Sequence, residues 1–153
     1  MFSRYPEIPV KRVNPDAPMP AYAHEGDAGL DLCSMQTIEI APQGMVKVGC
    51  GLAFAIPRGY YGAIVPRSGM STKRGITLIN TPSTIDSGYR GEVLLPLYNA
   101  STETQVVRKG ERVCQMIVLP CCEATLTEVD ELDDTSRGAN GFGSSGISGG
   151  PRP

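Results

Sequence analysis

A single histidine, His24, stands in these 153 residues. That excludes a metal centre built from a histidine cluster, and His24 carries no assigned role. The five cysteines (Cys33, Cys50, Cys114, Cys121 and Cys122) are odd in number and lack Cys-x-x-Cys spacing. A disulfide framework or a structural zinc site is therefore not expected, and reduced, buried thiols are. No run of 18 apolar residues occurs, and residues 1–10 lack the apolar core of a secretory signal. This predicts a soluble, cytoplasmic protein without a membrane partner. A net charge of -2 leaves no basic footprint for a nucleic-acid partner. Local arginines and backbone N–H groups can still hold a small anion. The phosphate-loop pattern Gly-x-x-x-x-Gly-Lys-[Ser/Thr] is missing too.

Long helices are also missing. No stretch of ten or more residues keeps a clean 3.6-residue period, and 18 glycines and 13 prolines interrupt the chain throughout. What remains is a series of short apolar runs between turn signals, the pattern of an all-β sandwich or barrel within one domain's length of chain. Strands are expected at residues 8–13, 30–32, 37–41, 45–48, 51–57, 60–65, 104–108 and 113–120. A short helix is plausible only after Pro66-Arg67-Ser68-Gly69. That small polar turn is either an ordinary loop or an anion site, because helix N-termini present free N–H groups.

The most informative stretch is Asn80-Thr81-Pro82-Ser83-Thr84-Ile85-Asp86-Ser87-Gly88-Tyr89-Arg90-Gly91-Glu92. It lies between the apolar runs at 75–79 and 93–98, which predicts a long β-hairpin with its tip near residues 86–91. A tip that merely reversed the chain needs no carboxylate, aromatic ring and arginine within five residues. Asp86 is either a turn former or a base acting on water. Ile85 beside it can exclude solvent, and Arg90 can supply a countercharge.

Other polar residues sit in apolar settings. Asp31 lies between Leu30 and Leu32, where alternation sends it to the face opposite the leucines. It can support a metal, orient water or form a structural ion pair. Gln115 is the one strongly polar residue of the run at 113–120, and it needs hydrogen-bond partners in the core or on a ligand. From residue 128 the composition turns acidic, then Gly- and Ser-rich. This divides the chain into a barrel at 1–128 and a linker plus flexible C-terminal arm at 129–153. Arg137 and Phe142, set among small residues, suit a segment that closes over a phosphorylated ligand.

Five segments together resemble the trimeric dUTP diphosphatases (dUTPases). They are Ala28-Gly29-Leu30-Asp31-Leu32, Pro66-Arg67-Ser68-Gly69, the stretch 80–92, Gly110-Glu111-Arg112-Val113-Cys114-Gln115-Met116, and the glycine-rich run 137–146. The resemblance covers about residues 24–146. It implies a distorted, jelly-roll-like β-barrel assembled as a homotrimer with shared active sites, hydrolysing dUTP to dUMP and pyrophosphate with Mg²⁺ as cofactor. It implies Asp86 as the catalytic base and Asp31 as a support for the metal through water. Arg67, Ser68, Gly69 and Gln115 would bind phosphate. Asn80, the backbone of Thr84 and Ile85, and Leu94 would contact uracil, and Tyr89 the deoxyribose. Arg137, Gly143, Ser144 and Ser145 would hold the γ-phosphate end, with Phe142 over the base.

The chain departs from the family pattern at Ser83 and Asn140, where glycine is usual, and at Met70-Ser71. None of these removes a proposed catalytic group. Asn140 is a mild change because Asn tolerates positive φ, whereas Ser83 can alter the backbone near the base. The related dCTP deaminases carry a glutamate on the strand leaving the hairpin. Pro96 occupies that place here, which disfavours deamination, alone or combined. A non-catalytic nucleotide sensor on the same barrel is disfavoured by the presence of Asp86 and the Arg/Phe tail.

Overall fold

The computed structural model describes residues 5–141. Among them the chain forms β1 (Val10–Arg12), β2 (Leu30–Cys33), β3 (Ile38–Ile40), β4 (Met45–Gly49), β5 (Leu52–Phe54) and β6 (Tyr60–Pro66). After α1 (Ser68–Arg74) come β7 (Ile76–Leu78), β8 (Ser83–Ile85), β9 (Leu94–Asn99), β10 (Gln105–Val107) and β11 (Arg112–Pro120). All pairings are antiparallel. A four-stranded sheet in the order β2-β11-β6-β8 and a three-stranded sheet β4-β9-β7 are accompanied by the pairs β1-β5 and β10-β3. This is the expected all-β, jelly-roll-like architecture.

Period-two alternation builds the core. In β9, Leu95, Leu97 and Asn99 are buried, while Leu94, Pro96 and Tyr98 turn outward. The leucines join Leu32, Ile40, Leu52, Phe54, Ile56, Ile64, Ile76 and Met116 in one apolar cluster. Asn99 is fully buried yet satisfied, donating to the carbonyls of Ile40 and Glu103 at 2.9 and 2.8 Å. Contacts divide the chain into two compact units that meet between Glu123 and Ala124, and the strands and helix all belong to the first.

The stretch 80–92 departs from a simple hairpin. β7 and β9 do pair, from Ile76 opposite Asn99 to Leu78 opposite Leu97. The next residue pair would be Ile79 with Pro96. Ile79 N–H does donate to the Pro96 carbonyl at 3.0 Å. The return bond cannot form, because proline has no N–H. The ladder stops there, and the outgoing chain leaves this sheet for the other one. There β8 pairs with β6, with Ser83 opposite Ile64 and Ile85 opposite Gly62. The segment therefore spans the seam between the two larger sheets.

The returning arm is fastened over the β4–β5 turn. Cys50 N–H donates to the Val93 carbonyl at 3.1 Å, and Val93 N–H to that of Leu52 at 2.9 Å. The Glu92 carboxylate accepts from Gly51 N–H at 2.7 Å. It packs so closely on Gly49 that a Cβ there would come within 2.2 Å of Glu92 Oε1.

Burial holds for only part of the thiols expected to be buried. Cys50 and Cys114 are buried, Cys33 is half-buried, and Cys121 and Cys122 are exposed; all five are free. The last two follow the final core residues of β11, where the chain has run past the barrel's apolar interior.

Candidate active site

The seam opens into a cavity of about 360 Å³. Asn80, Thr84, Ile85, Tyr89 and Leu94, expected from the sequence to contact a nucleoside, line it together with Asp86, the expected base. Ser83, Lys47 and Pro96 complete its wall. Ile85 is buried beside Asp86, whereas Asp86 itself is exposed. The Asp86 carboxylate has no ion pair or side-chain hydrogen bond among the described residues, and its carbonyl accepts from Tyr89 N–H at 3.0 Å. Arg90 does not supply the expected countercharge. Its Nη1 donates instead to the carbonyls of Ser87 and Tyr89, in the same turn, at 2.7 and 2.8 Å. Tyr89 folds onto the same tip: its hydroxyl donates to the Glu92 carbonyl at 2.9 Å, and the ring lies over Gly91, where a Cβ would be 2.5 Å from the phenolic oxygen.

A second cluster forms where β2, β11 and β6 run side by side. Asp31 and Val65 both pair with Gln115, so the three share one row of the sheet. Asp31 Oδ1 lies 2.8 Å from Arg67 Nε, and Oδ2 lies 3.1 Å from Arg112 Nη1. Of the readings open for Asp31, the structural ion pair is formed. Gln115 Nε2 donates to the Pro66 carbonyl at 3.3 Å, and its amide fills the place where Gly29 has no side chain: a Cβ there would be 2.1 Å from Gln115 Oε1. Arg67 caps α1 without a side-chain capping bond. Met70 and Ser71 N–H donate to the Arg67 carbonyl, and the Ser68 and Gly69 amides have no acceptor within the helix. Space beside Gly69 is open. The cluster thus offers guanidinium, amide and backbone donors, the chemistry that holds phosphate oxygens.

The two groups occupy opposite ends of β6. Ile85, next to Asp86, pairs with Gly62, and Arg67 follows the strand's far end. Gly62 and Arg67 are five positions apart along the strand, roughly 17 Å at the usual rise. Arg67, Ser68, Gly69, Gln115 and Asp31 do not line the cavity.

In the second unit, taken by itself, Arg137 Nε donates to the Asn140 carbonyl at 3.0 Å, and Asn140 N–H to the Arg137 carbonyl at 3.2 Å. The left-handed φ of this turn, 54°, falls on Gly138 and not on Asn140. Phe142, Gly143, Ser144 and Ser145 lie outside the described residues.

For a divalent metal the fit is specific. Among the described residues no three His, Cys, Asp or Glu side chains gather into a metal cage, and both Asp31 oxygens are on arginines. Asp31 could therefore support a divalent ion only through water, as Mg²⁺ bound to phosphates permits.

Lys47, Ser83, Pro96 and Arg112 were not singled out as site residues by sequence. Ser83 carried one signal, as a departure from the family pattern. Arg112 stood inside a matching segment without a role.

A largely apolar cavity holding one uncommitted carboxylate and, at the other end of β6, a cluster of guanidinium, amide and backbone donors lie in one β-barrel. The family model for dUTPase matches residues 15–146, and the chain belongs to that family. It is 46% identical over 140 residues to the deoxyuridine 5'-triphosphate nucleotidohydrolase of Nocardia farcinica, covering 91% of this chain and 85% of the relative. It is equally identical over 140 residues to that of Nautilia profundicola, covering 92% and 99%. Among solved structures it resembles a dUTPase mutant of Staphylococcus bacteriophage 80alpha, described as carrying dUpNHpp, with a TM-score of 0.83, 29% identity and coverage of 92% and 99%.

Proposed function

We propose that this protein is a dUTP diphosphatase that cleaves dUTP to dUMP and pyrophosphate. The observation that carries the reading is the cavity at the seam, where Asn80, Thr84, Ile85, Asp86 and Tyr89 converge with Leu94 of β9. The base enters between the arms, with Asn80 and the backbone of Thr84, Ile85 and Leu94 on its polar edge. Tyr89 packs against the deoxyribose and leaves no room for a 2′-hydroxyl. Asp86 accepts a proton from water as that water attacks the α-phosphorus. The bond from the α-phosphorus to the bridging oxygen breaks, and pyrophosphate leaves with the electron pair. An uncommitted carboxylate is suited to such a base, and phosphoryl transfer otherwise asks mainly for positioning and charge neutralisation.

Arg67, Ser68, Gly69 and Gln115 hold the phosphates. Asp31 keeps Arg67 aimed and would support Mg²⁺ through water. Mg²⁺, when bound to the triphosphate, supplies charge neutralisation across its oxygens. The separation of the two groups along β6 argues that one chain cannot serve one substrate alone, so the site is shared within a homotrimer. Residues 129–153 act as a closing arm over the barrel at 1–128, with Arg137, Gly143, Ser144 and Ser145 on the terminal phosphate and Phe142 over uracil. No helix among the described residues is long and apolar enough to cross a membrane; a cytoplasmic enzyme of nucleotide metabolism fits the chemistry.

Pyrophosphate release from dUTP, dCTP, dTTP and UTP, with and without Mg²⁺, tests the reading. Metal-stimulated release from dUTP alone is expected. Equal release from dTTP or UTP would overturn the pocket assignment, and no release at all would overturn the activity.

A further inference from the structure

We propose that Arg74 and Glu111 are positioning residues for the phosphate cluster; the inference rests on the dUTP reading above and deepens it. The cluster takes Asp31 from β2, Arg67, Ser68 and Gly69 from the corner between β6 and α1, and Arg112 and Gln115 from β11. Asp31 joins these parts at the cluster itself, lying against both Arg67 and Arg112. They are joined a second time, at the other end of α1.

There Arg74, the last residue of the helix, reaches β10 and the turn before β11. Its Nε donates to Gln105 Oε1 at 3.2 Å, its Nη2 to the Val106 carbonyl at 2.5 Å, and its Nη1 to Glu111 Oε1. The other Glu111 oxygen accepts from Arg108 N–H at 3.0 Å and so closes the turn 108–111. That turn is bonded in both directions to Ser34, just past β2. Gly110 N–H donates to the Ser34 carbonyl at 2.7 Å, and Ser34 N–H to the Glu111 carbonyl at 2.9 Å. Glu111 directly precedes Arg112. One ion pair thus ties the far end of α1 to both strands that supply the rest of the cluster.

Little else on the helix does this. Among the described residues, Arg74 is the one side chain of α1 that hydrogen-bonds beyond the helix and the adjoining β7. Met70 is the helix's one buried residue. A short helix pinned by a single buried side chain can rock about it, and Arg67 would rock with it. The pair is 27% and 30% exposed, sheltered enough that water and salt screen it less than a surface pair. A planar guanidinium with all three nitrogens engaged is a stiffer spacer than an ammonium. Misplacement by about 1 Å from a change far from the chemistry can cost about 10²-fold, so the brace acts on the reaction without touching substrate.

The test compares wild type with Arg74→Met, Arg74→Lys and Glu111→Gln, each held at a temperature where it stays folded. kcat and KM for dUTP are measured, with inhibition by pyrophosphate as a probe of the cluster and by deoxyuridine as a probe of the seam cavity. Arg74→Met keeps the apolar stem and loses every donor. It should weaken pyrophosphate inhibition and raise KM roughly threefold to tenfold, with deoxyuridine inhibition within about twofold of wild type. Glu111→Gln, which loses the charge, should move both in the same direction by less. Arg74→Lys keeps the charge without the fork and should recover part of the loss. A purely structural pair would lower the melting temperature and leave the ratio of the two inhibition constants unmoved. That result in both Arg74→Met and Glu111→Gln would overturn the inference alone; if Arg74→Met does not fold, Arg74→Lys takes its place in the comparison. A wild type that cleaves no dUTP would overturn the function and this inference with it.

Discussion

Asp31, within β2, and Asp86, just past β8, are both carboxylates on short strands, yet their surroundings are opposite. Asp31 is 13% exposed, with each oxygen on a different guanidinium and both arginines oriented by it. Asp86 is exposed, beside a buried isoleucine, with no partner among the described residues. A carboxylate that is fully engaged holds other groups in place. One left unengaged at the mouth of a cavity is available to take a proton. In the proposed function, that contrast corresponds to positioning by the β2–β11–β6 cluster and chemistry at the seam.

The strongest way to break that contrast is Asp86→Asn. Turnover of dUTP should fall by about 10²–10⁴-fold, with dUpNHpp affinity within a few fold of wild type by calorimetry. Retained turnover would move the chemistry elsewhere. A mixing experiment sharpens the spatial side. Asp86→Asn and Arg67→Ala chains should each be nearly inactive alone. After co-refolding in equal amounts, roughly a quarter of the sites should recover if Asp86 and Arg67 come from different chains of a symmetric assembly. No recovery would mean that each chain builds its own site.

Much of this contrast can be read from sequence, though not all of it. The tip residues near Asp86 and the alternation in β9 and β11 are local signals, carried by neighbours in the chain. The pairing of Asp31 with Arg112 spans 81 positions, and that of Glu92 with Gly51 spans 41. Neither leaves a mark on the residues in between. The crossing of β8 to β6 depends on Pro96 meeting Ile79, so it requires the register of β9 before it can be seen. Arg90 fails in the opposite way: it is close to Asp86 in sequence but closer still to carbonyls of its own turn.

Smaller effects test each region's support. Asp31→Asn should leave two guanidinium groups without their shared partner. Because Arg67 and Arg112 are 30% and 55% exposed, solvent screening holds the expected loss to about 1–2 kcal/mol in denaturant unfolding, with KM for dUTP rising more than kcat falls. Gly49→Ala should displace Glu92 from its seat and cost about 1 kcal/mol, the scale of one hydrogen bond, while loosening the tip enough to raise KM.

The smallest effect is a titration. Burial pushes the Cys50 thiol from 9.0 up to about 11 and raises that of Cys114 as well. The folded chain holds these protons more tightly than the unfolded one, so their contribution is complete below pH 9 and declines as pH climbs from there through about 11. Iodoacetamide at pH 8 should therefore label Cys121 and Cys122 and spare Cys50 and Cys114 until the chain unfolds.

The bridging course of residues 79–92 has a consequence for hydrogen exchange. One arm is bonded to β6 and the other to the β4–β5 turn, so a ligand seated between them adds a further tie between the two sheets. Partial opening that parts the sheets must first empty the cavity. A bound dUTP analogue should therefore slow amide exchange at Gly62 and Ile64, on a strand whose residues do not line the cavity, and do so in proportion to the free energy of binding.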